Sequence, residues 1–197
     1  MEPWTTTLNA IREHSPCASG WAELLKSLGK TKADDEPLLL SVILDSNGLD
    51  ETLWVLRAVT NHDREIRLYS VWCARQVQHL MTDRRSIDAL DVAEQFAKGE
   101  VTEEQLSDAW SAAESAAKSA RAAAEYAARS DARAAASAAW SAADSATWAA
   151  WYAESAESAT RAAAWPAARA AARAAAASAA ASAQKEELLR IISGGEY

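Results

Sequence analysis

Residues 109–151 read AWSAAESAAKSARAAAEYAARSDARAAASAAWSAADSATWAAW, and the alanine-rich run that they open continues to Ala183. More than half of residues 109–183 are alanine, and no glycine falls between Gly99 and Gly194. Alanine has the highest helix propensity and carries no reactive group, so this stretch predicts helix built for shape or contact. Larger or charged residues recur at Trp110, Glu114, Lys118, Arg121, Glu125, Arg129, Arg133, Ser137, Trp140, Asp144, Trp148 and Trp151, in steps of three or four. That spacing is close to an eleven-residue repeat, about 3.67 residues per turn, which predicts straight or slightly right-handed helices rather than a left-handed coil. A single helix from Thr102 to Trp165 would be roughly 90 Å long and would leave its alanine faces wet. Shorter stacked helices, turning at Ser130-Asp131, Asp144-Ser145 or Ser158, bury those faces better. Pro166 kinks or restarts the helix.

Upstream, the large apolar residues are concentrated before Ala97, which predicts a compact helical domain over residues 1–100. Thr5–Glu13 reads as a short helix broken by Ser15-Pro16, and Ala18–Leu28 as a second, ended by Gly29. Pro37–Asp45 reads as a third, capped by Asp34 or Asp35 with Pro37 in its first turn. Its apolar run Leu38-Leu-Leu-Ser-Val-Ile-Leu44 predicts a central buried helix closed by Asn47-Gly48. Helices at Asp50–Thr60, Asn61–Met81 and Ile87–Lys98 follow, the last capped by Ser86 and stopped by Gly99. Thr102-Glu-Glu-Gln105 is a capping-box pattern. No alternating, β-branched run predicts a strand. The Ala-rich region spans 101–183, and residues 184–197 form a last helix and tail whose Leu188, Leu189, Ile191 and Ile192 need a core to sit against. The class is therefore all-α: a compact N-terminal helical domain followed by long or stacked Ala-rich helices.

Composition narrows the function. The 197-residue chain has a formal net charge of −8, and an acidic surface repels phosphate backbones, which argues against direct nucleic-acid binding. It carries two cysteines, Cys17 and Cys73, in different elements; this is no disulfide framework, and the expected compartment is the cytoplasm. No signal peptide or membrane-spanning stretch is apparent, because polar residues interrupt the alanine run every few positions.

Few residues carry chemistry. Gly29-Lys30-Thr31 matches the end of a phosphate-binding loop, but the glycine required five positions earlier is Leu24, so a helix end followed by a polar loop accounts for it. His14 and Cys17 lack the second pair that a zinc site needs. With three histidines in the chain, a catalytic triad or hydrolytic metal centre has few building blocks. No catalytic residue, metal site or cofactor is expected, and the chain reads as a non-enzyme.

The exception is Asn61–His79. Projected on a helix, Ile66, Tyr69, Cys73, Val77 and Leu80 share the core face, while Arg64, Leu68, Trp72, Arg75 and His79 gather on the opposite side. One reading is a cleft in which Arg64, Arg67 and Arg75 meet a carboxylate or phosphate while Trp72, Gln76 and His79 stack and hydrogen bond; its ligand would be an anionic, nucleotide-like small molecule. A protein-binding patch fits the same residues, since Trp, Tyr and Arg dominate interface hot spots. A helix buried on both sides, with its arginines paired to Asp45, Asp50, Asp88 or Asp91, fits them too. Trp140, Trp148, Trp151 and Trp165 form either internal packing or an exposed aromatic row that docks a partner.

Four segments taken together, LLKSLGKTKADD (24–35), SNGLD (46–50), LWVLRAV (53–59) and His62–Met81, resemble a family of immunity proteins of polymorphic toxin systems, also found among phage-encoded hypothetical proteins with an Ala/Trp/Arg-rich tail. The resemblance implies an all-helical, cytoplasmic protein that neutralises a toxin by binding it. Together with the acidic, catalytically sparse composition, the expected function is a binding protein that blocks a protein partner: a toxin or, for a phage-encoded chain, a bacterial defence component such as CRISPR. Self-association into a homo-oligomer is a further expectation, since a partner chain could cover the alanine faces.

Overall fold

A computed structural model describes residues 2–126, 137, 140, 141, 144 and 177–195. The fold is all-α. The described helices are α1 (Leu8–Glu13), α2 (Ala18–Ser27), α3 (Leu40–Val55), α4 (Asp63–Arg75), α5 (Arg84–Lys98), α6 (Glu103–Tyr126) and α7 (Ala177–Ile192), with short 3-10 turns at Leu56–Ala58 between α3 and α4 and at Gln78–Leu80 between α4 and α5.

Where local signals are strong, sequence and structure agree. Gly99 closes α5 in the left-handed conformation (φ 78°). Gln105 Oε1 accepts from the Thr102 backbone N–H at 2.9 Å, and the Gln105 N–H donates back to Thr102 Oγ1 at 3.3 Å, which completes the capping box. Gly48 breaks α3 with φ 83° and ψ −175°, a conformation open in practice only to glycine, so the helix changes direction there.

Several expectations are corrected. Thr5–Thr6 is not helical but forms strand β1, paired antiparallel with β2 (Leu38–Leu39), and α1 starts only after Thr7 caps it. The same pairing moves the start of α3 from Pro37 to Leu40. The Leu40 N–H donates to the Trp4 carbonyl at 3.0 Å, so the backbone of Leu38 and Leu39 is spent on the N-terminal strand rather than on a first helical turn. The run 38–44 is also less buried than expected, because Leu39 and Val42 are exposed. Asp83, not Ser86, caps α5; Ser86 lies one turn inside and is buried. The helix expected over 61–81 stops at Arg75, and Gln78–Leu80 tightens into a 3-10 turn.

The main core gathers Leu40, Leu44, Leu53 and Leu56 with Ile66, Tyr69 and Cys73 of α4 and Leu90 of α5. Leu188, Ile191 and Ile192 of α7 are buried in the same cluster, which gives these C-terminal residues the apolar surroundings their sequence demands. The helix continues across residue 183 without a break. Two polar contacts fix the arrangement: the Trp4 N–H donates to the Ile192 carbonyl at 2.8 Å, and the Tyr69 hydroxyl donates to the Gln184 carbonyl at 3.1 Å. A second, smaller cluster joins Leu8 and Ile11 of α1, Leu24 of α2, and Ile43 and Val55 of α3.

The start of the Ala-rich region packs as small residues should. Ala113 of α6 meets Ala89 of α5, both fully buried, with Trp110 lying against the contact. Of the expected turn positions, Asp144 is helical, whereas Ser130, Asp131, Ser145 and Ser158 lie outside the described residues. The choice between one rod and a stack falls outside them as well.

Candidate functional site

On α4 the residues singled out by sequence serve different purposes. Arg64, in the first turn, is half exposed, with Nη1 3.7 Å from Glu65 Oε1. Arg75, in the last turn, donates to Asp91 Oδ1 at 2.7 Å, Glu94 Oε2 at 2.9 Å and Gln78 Oε1 at 2.8 Å. Burial works against its charge, but the hydrogen bonds to Asp91 and Glu94 outweigh that cost. Lys98 bonds Glu94 from the other side, and Lys98 first and Arg75 second hold that carboxyl below its usual range. Eleven residues of helix set Arg64 and Arg75 roughly 16 Å apart along the axis, too far to clasp one small anion.

The other candidates on this face are similarly dispersed. Arg67 lays its guanidinium over the Phe96 ring, 5.4 Å from the centroid, and burial lowers its pKa against the opposing charges of Asp63 and Glu103. Trp72 packs on the main core and stacks against Tyr69, with centroids 6.2 Å apart. Leu68, expected on the open side, is buried. Gln76 is exposed and donates to the Trp72 carbonyl at 3.3 Å. His79 is exposed on the 3-10 turn, so the helical projection that aligned it with Arg64 and Arg75 does not extend to it. Trp140 is helical and partly buried, whereas Trp148, Trp151 and Trp165 lie outside the described residues.

Among the described residues a cavity lies between α2 and α3, a place the sequence did not single out. It holds about 270 Å³. Cys17, Gly20, Trp21 and Leu24 line one wall; their i, i+3, i+4, i+7 spacing places them on a single stripe at the start of α2. Asp50, Glu51 and Trp54 line the facing wall, one turn apart on the second half of α3. Ile11, Ile43 and Val55 form an apolar floor continuous with the smaller core cluster. Asn47 donates to the Gly20 carbonyl at 2.8 Å and pins the two helices together at the edge. The turn at Gly48 points the second half of α3, with its carboxylates, along this wall.

A side chain at position 20 would crowd the pocket: a Cβ there would stand 3.1 Å from Cys17 Sγ and 3.3 Å from Glu51 Cγ. Cys17 is exposed and caps α2, with the Gly20 N–H donating to its sulfur at 3.3 Å. Contact with the Ser19 hydroxyl, followed by that backbone N–H, pulls the thiol pKa below its ordinary value. Trp54 carries the guanidinium of Arg57 over its ring, 4.2 Å from the centroid. Neither Asp50 nor Glu51 makes an ion pair with a described residue. Two partly buried tryptophans on neighbouring helices, one preceded by an acidic turn, were the available signal. It was masked because Trp21 and Trp54 sit among apolar neighbours that predict core.

Among the described residues, no group of three or more His, Cys, Asp or Glu side chains is placed to hold a metal ion. No described helix is long and apolar enough to cross a membrane. No family model matches the chain, and no curated protein or solved structure does.

Proposed function

We propose that the chain is a non-enzymatic binding protein that neutralises a partner macromolecule, a toxin or a component of a bacterial defence system. The observation that carries this reading is the α2–α3 pocket: concave, apolar at its floor, walled by Trp21 and Trp54, and edged by two carboxylates that make no ion pair with a described residue. Its volume of about 270 Å³ is below the range usual for drug-sized ligands and suits one anchoring side chain of a protein partner. Such anchors dominate binding energy at interfaces. The charge pattern points to a basic partner. The chain's net charge is −8, and Lys30, Arg75, Arg84, Arg85, Lys98, Lys118 and Arg190 are all engaged with neighbouring acids. The resemblance of the segments within residues 24–81 to immunity proteins supports the same reading. Sequestration of an anionic nucleotide by the α4 arginines has less support, since Arg75 is already neutralised and stands far from Arg64.

The test is a photo-crosslinking residue in place of Trp54, used in cells that carry the gene, followed by an activity assay of the captured protein. The expected result is inhibition that is complete at about one equivalent of added chain. A captured protein whose activity is unmoved by excess chain overturns the reading, as does turnover of that protein's substrate by the chain itself.

A further inference from the structure

We infer that the α2–α3 pocket is a receptor for an arginine side chain presented by a basic segment of the partner. The inference rests on the binding reading above and narrows the chemistry of that same site. Three properties select arginine. First, Trp21 and Trp54 both line the pocket, and a planar guanidinium stacks on indole rings better than any other cation. Arg57 shows this contact on one face of Trp54, 4.2 Å from the centroid, so an incoming guanidinium is left Trp21 and the opposite face of Trp54. Second, Asp50 and Glu51 stand on the same wall, one turn from Trp54, and neither makes an ion pair with a described residue. A guanidinium can engage carboxylates through paired N–H donors, which a lysine ammonium cannot match. Third, a purely apolar occupant would cover the wall and strip water from those carboxylates without replacing it, which costs free energy. An anionic occupant would face both carboxylates directly. The apolar floor of Ile11, Ile43 and Val55 suits the methylene stem of arginine, and Gly20 keeps the entrance open between Cys17 and Glu51.

Cys17 supplies the readout, because its accessible thiol stands at the pocket wall. The full chain is titrated with N-acetyl-arginine methylamide and, in parallel, with its neutral isostere N-acetyl-citrulline methylamide and with N-acetyl-phenylalanine methylamide. Binding is followed by the indole N–H resonances of Trp21 and Trp54 and by the rate at which Cys17 is alkylated. The expected result is saturable binding of the arginine probe in the millimolar range, slowing of Cys17 alkylation, and at least tenfold weaker binding of citrulline. Asp50→Asn with Glu51→Gln, changes at surface carboxylates that leave the apolar floor intact, should bring arginine down to the citrulline level. Equal binding of arginine and citrulline, or stronger binding of the phenylalanine probe, overturns the assignment in favour of an apolar anchor. No response to any probe overturns it as well. These failures are separable from failure of the binding function: a partner crosslinked through position 54 and inhibited by the chain would stand even if the arginine probe left Cys17 unprotected.

Discussion

The α4–α5 face and the α2–α3 pocket contain similar residue types and use them in opposite directions. On α4, arginines, tryptophan and acids are turned toward one another: Arg75 closes on Asp91 and Glu94, Arg67 covers Phe96, and Trp72 lies on the core. Between α2 and α3, tryptophans and acids surround a space that no described cation fills. Polar and aromatic residues on a helix face therefore do not by themselves mark a binding site. What separates the two regions is whether the charges are matched within the chain. A matched cluster stabilises the fold and repels little; an unmatched one retains its capacity to bind.

The two cysteines extend the contrast, one in the core beneath α4 and one at the pocket. Cys73 is completely buried on α4, and burial pushes its thiol up to about 12. Cys17 is exposed at the pocket, with its thiol shifted the other way by the Ser19 and Gly20 contacts. The thiolate is the reactive form, so Cys17 should be alkylated promptly at neutral pH. Cys73 should react only when its helix opens, at least ~1000-fold more slowly in a domain of ordinary stability. A thiol count in native buffer should give one fast group, and denaturant should release the second. Two fast groups would mean that the core beneath α4 opens readily.

How much of this was legible in the sequence depends on the range of the interaction. Gly48, Gly99 and Thr102-Glu-Glu-Gln105 act within a few residues and could be read directly. The start of α3 could not, because Leu38 and Leu39 are drawn into extended structure by Thr5 and Thr6, over thirty positions away. Asp91 is one of four acids that the sequence offers to the α4 arginines, and Arg75 takes it together with Glu94, which the sequence did not single out; local spacing could not choose between such pairing and an open cleft. The pocket was missed for the same reason: Cys17, Trp21, Asp50 and Trp54 become neighbours only when α2 docks on α3, and each alone reads as a cap, a core residue or a solvated charge.

A pair of single substitutions tests the matched face by stability. Arg75→Ala should destabilise the fold by about 1–2 kcal/mol, the range for charge-assisted hydrogen bonds reduced because Asp91 and Glu94 remain partly hydrated. Arg64→Ala, at a half-exposed position with one long contact, should change stability by less than ~0.5 kcal/mol. Denaturant midpoints for both variants, with unchanged slopes, would measure this. Equal effects would show that the two arginines share one environment, contrary to their separation along α4. Neither change should reduce capture through position 54, because both lie outside the pocket.

The smallest expected effect concerns His62, just before α4, whose ring stacks on Trp4 with centroids 4.1 Å apart and 15° between planes. Burial lowers its pKa from the usual 6.5, and the nearby charges of Glu65 and Asp63 oppose this only in part. In the unfolded chain the imidazole takes up its proton near the ordinary value; in the folded chain it does so only at lower pH. Stability from this group is therefore full above about 6.5, declines as pH falls through the folded-state pKa, and levels off below it. His62→Phe retains an aromatic ring against Trp4 and removes the titration, so the variant's stability should vary less with pH between neutrality and the carboxylate range. If the two profiles superimpose, protonation of His62 does not oppose the Trp4 stack. Trp4 is bonded through its backbone to both Ile192 and Leu40, so a real difference would place this titration where the N-terminal strand, α3 and α7 meet, on the side of the molecule whose contacts are directed inward.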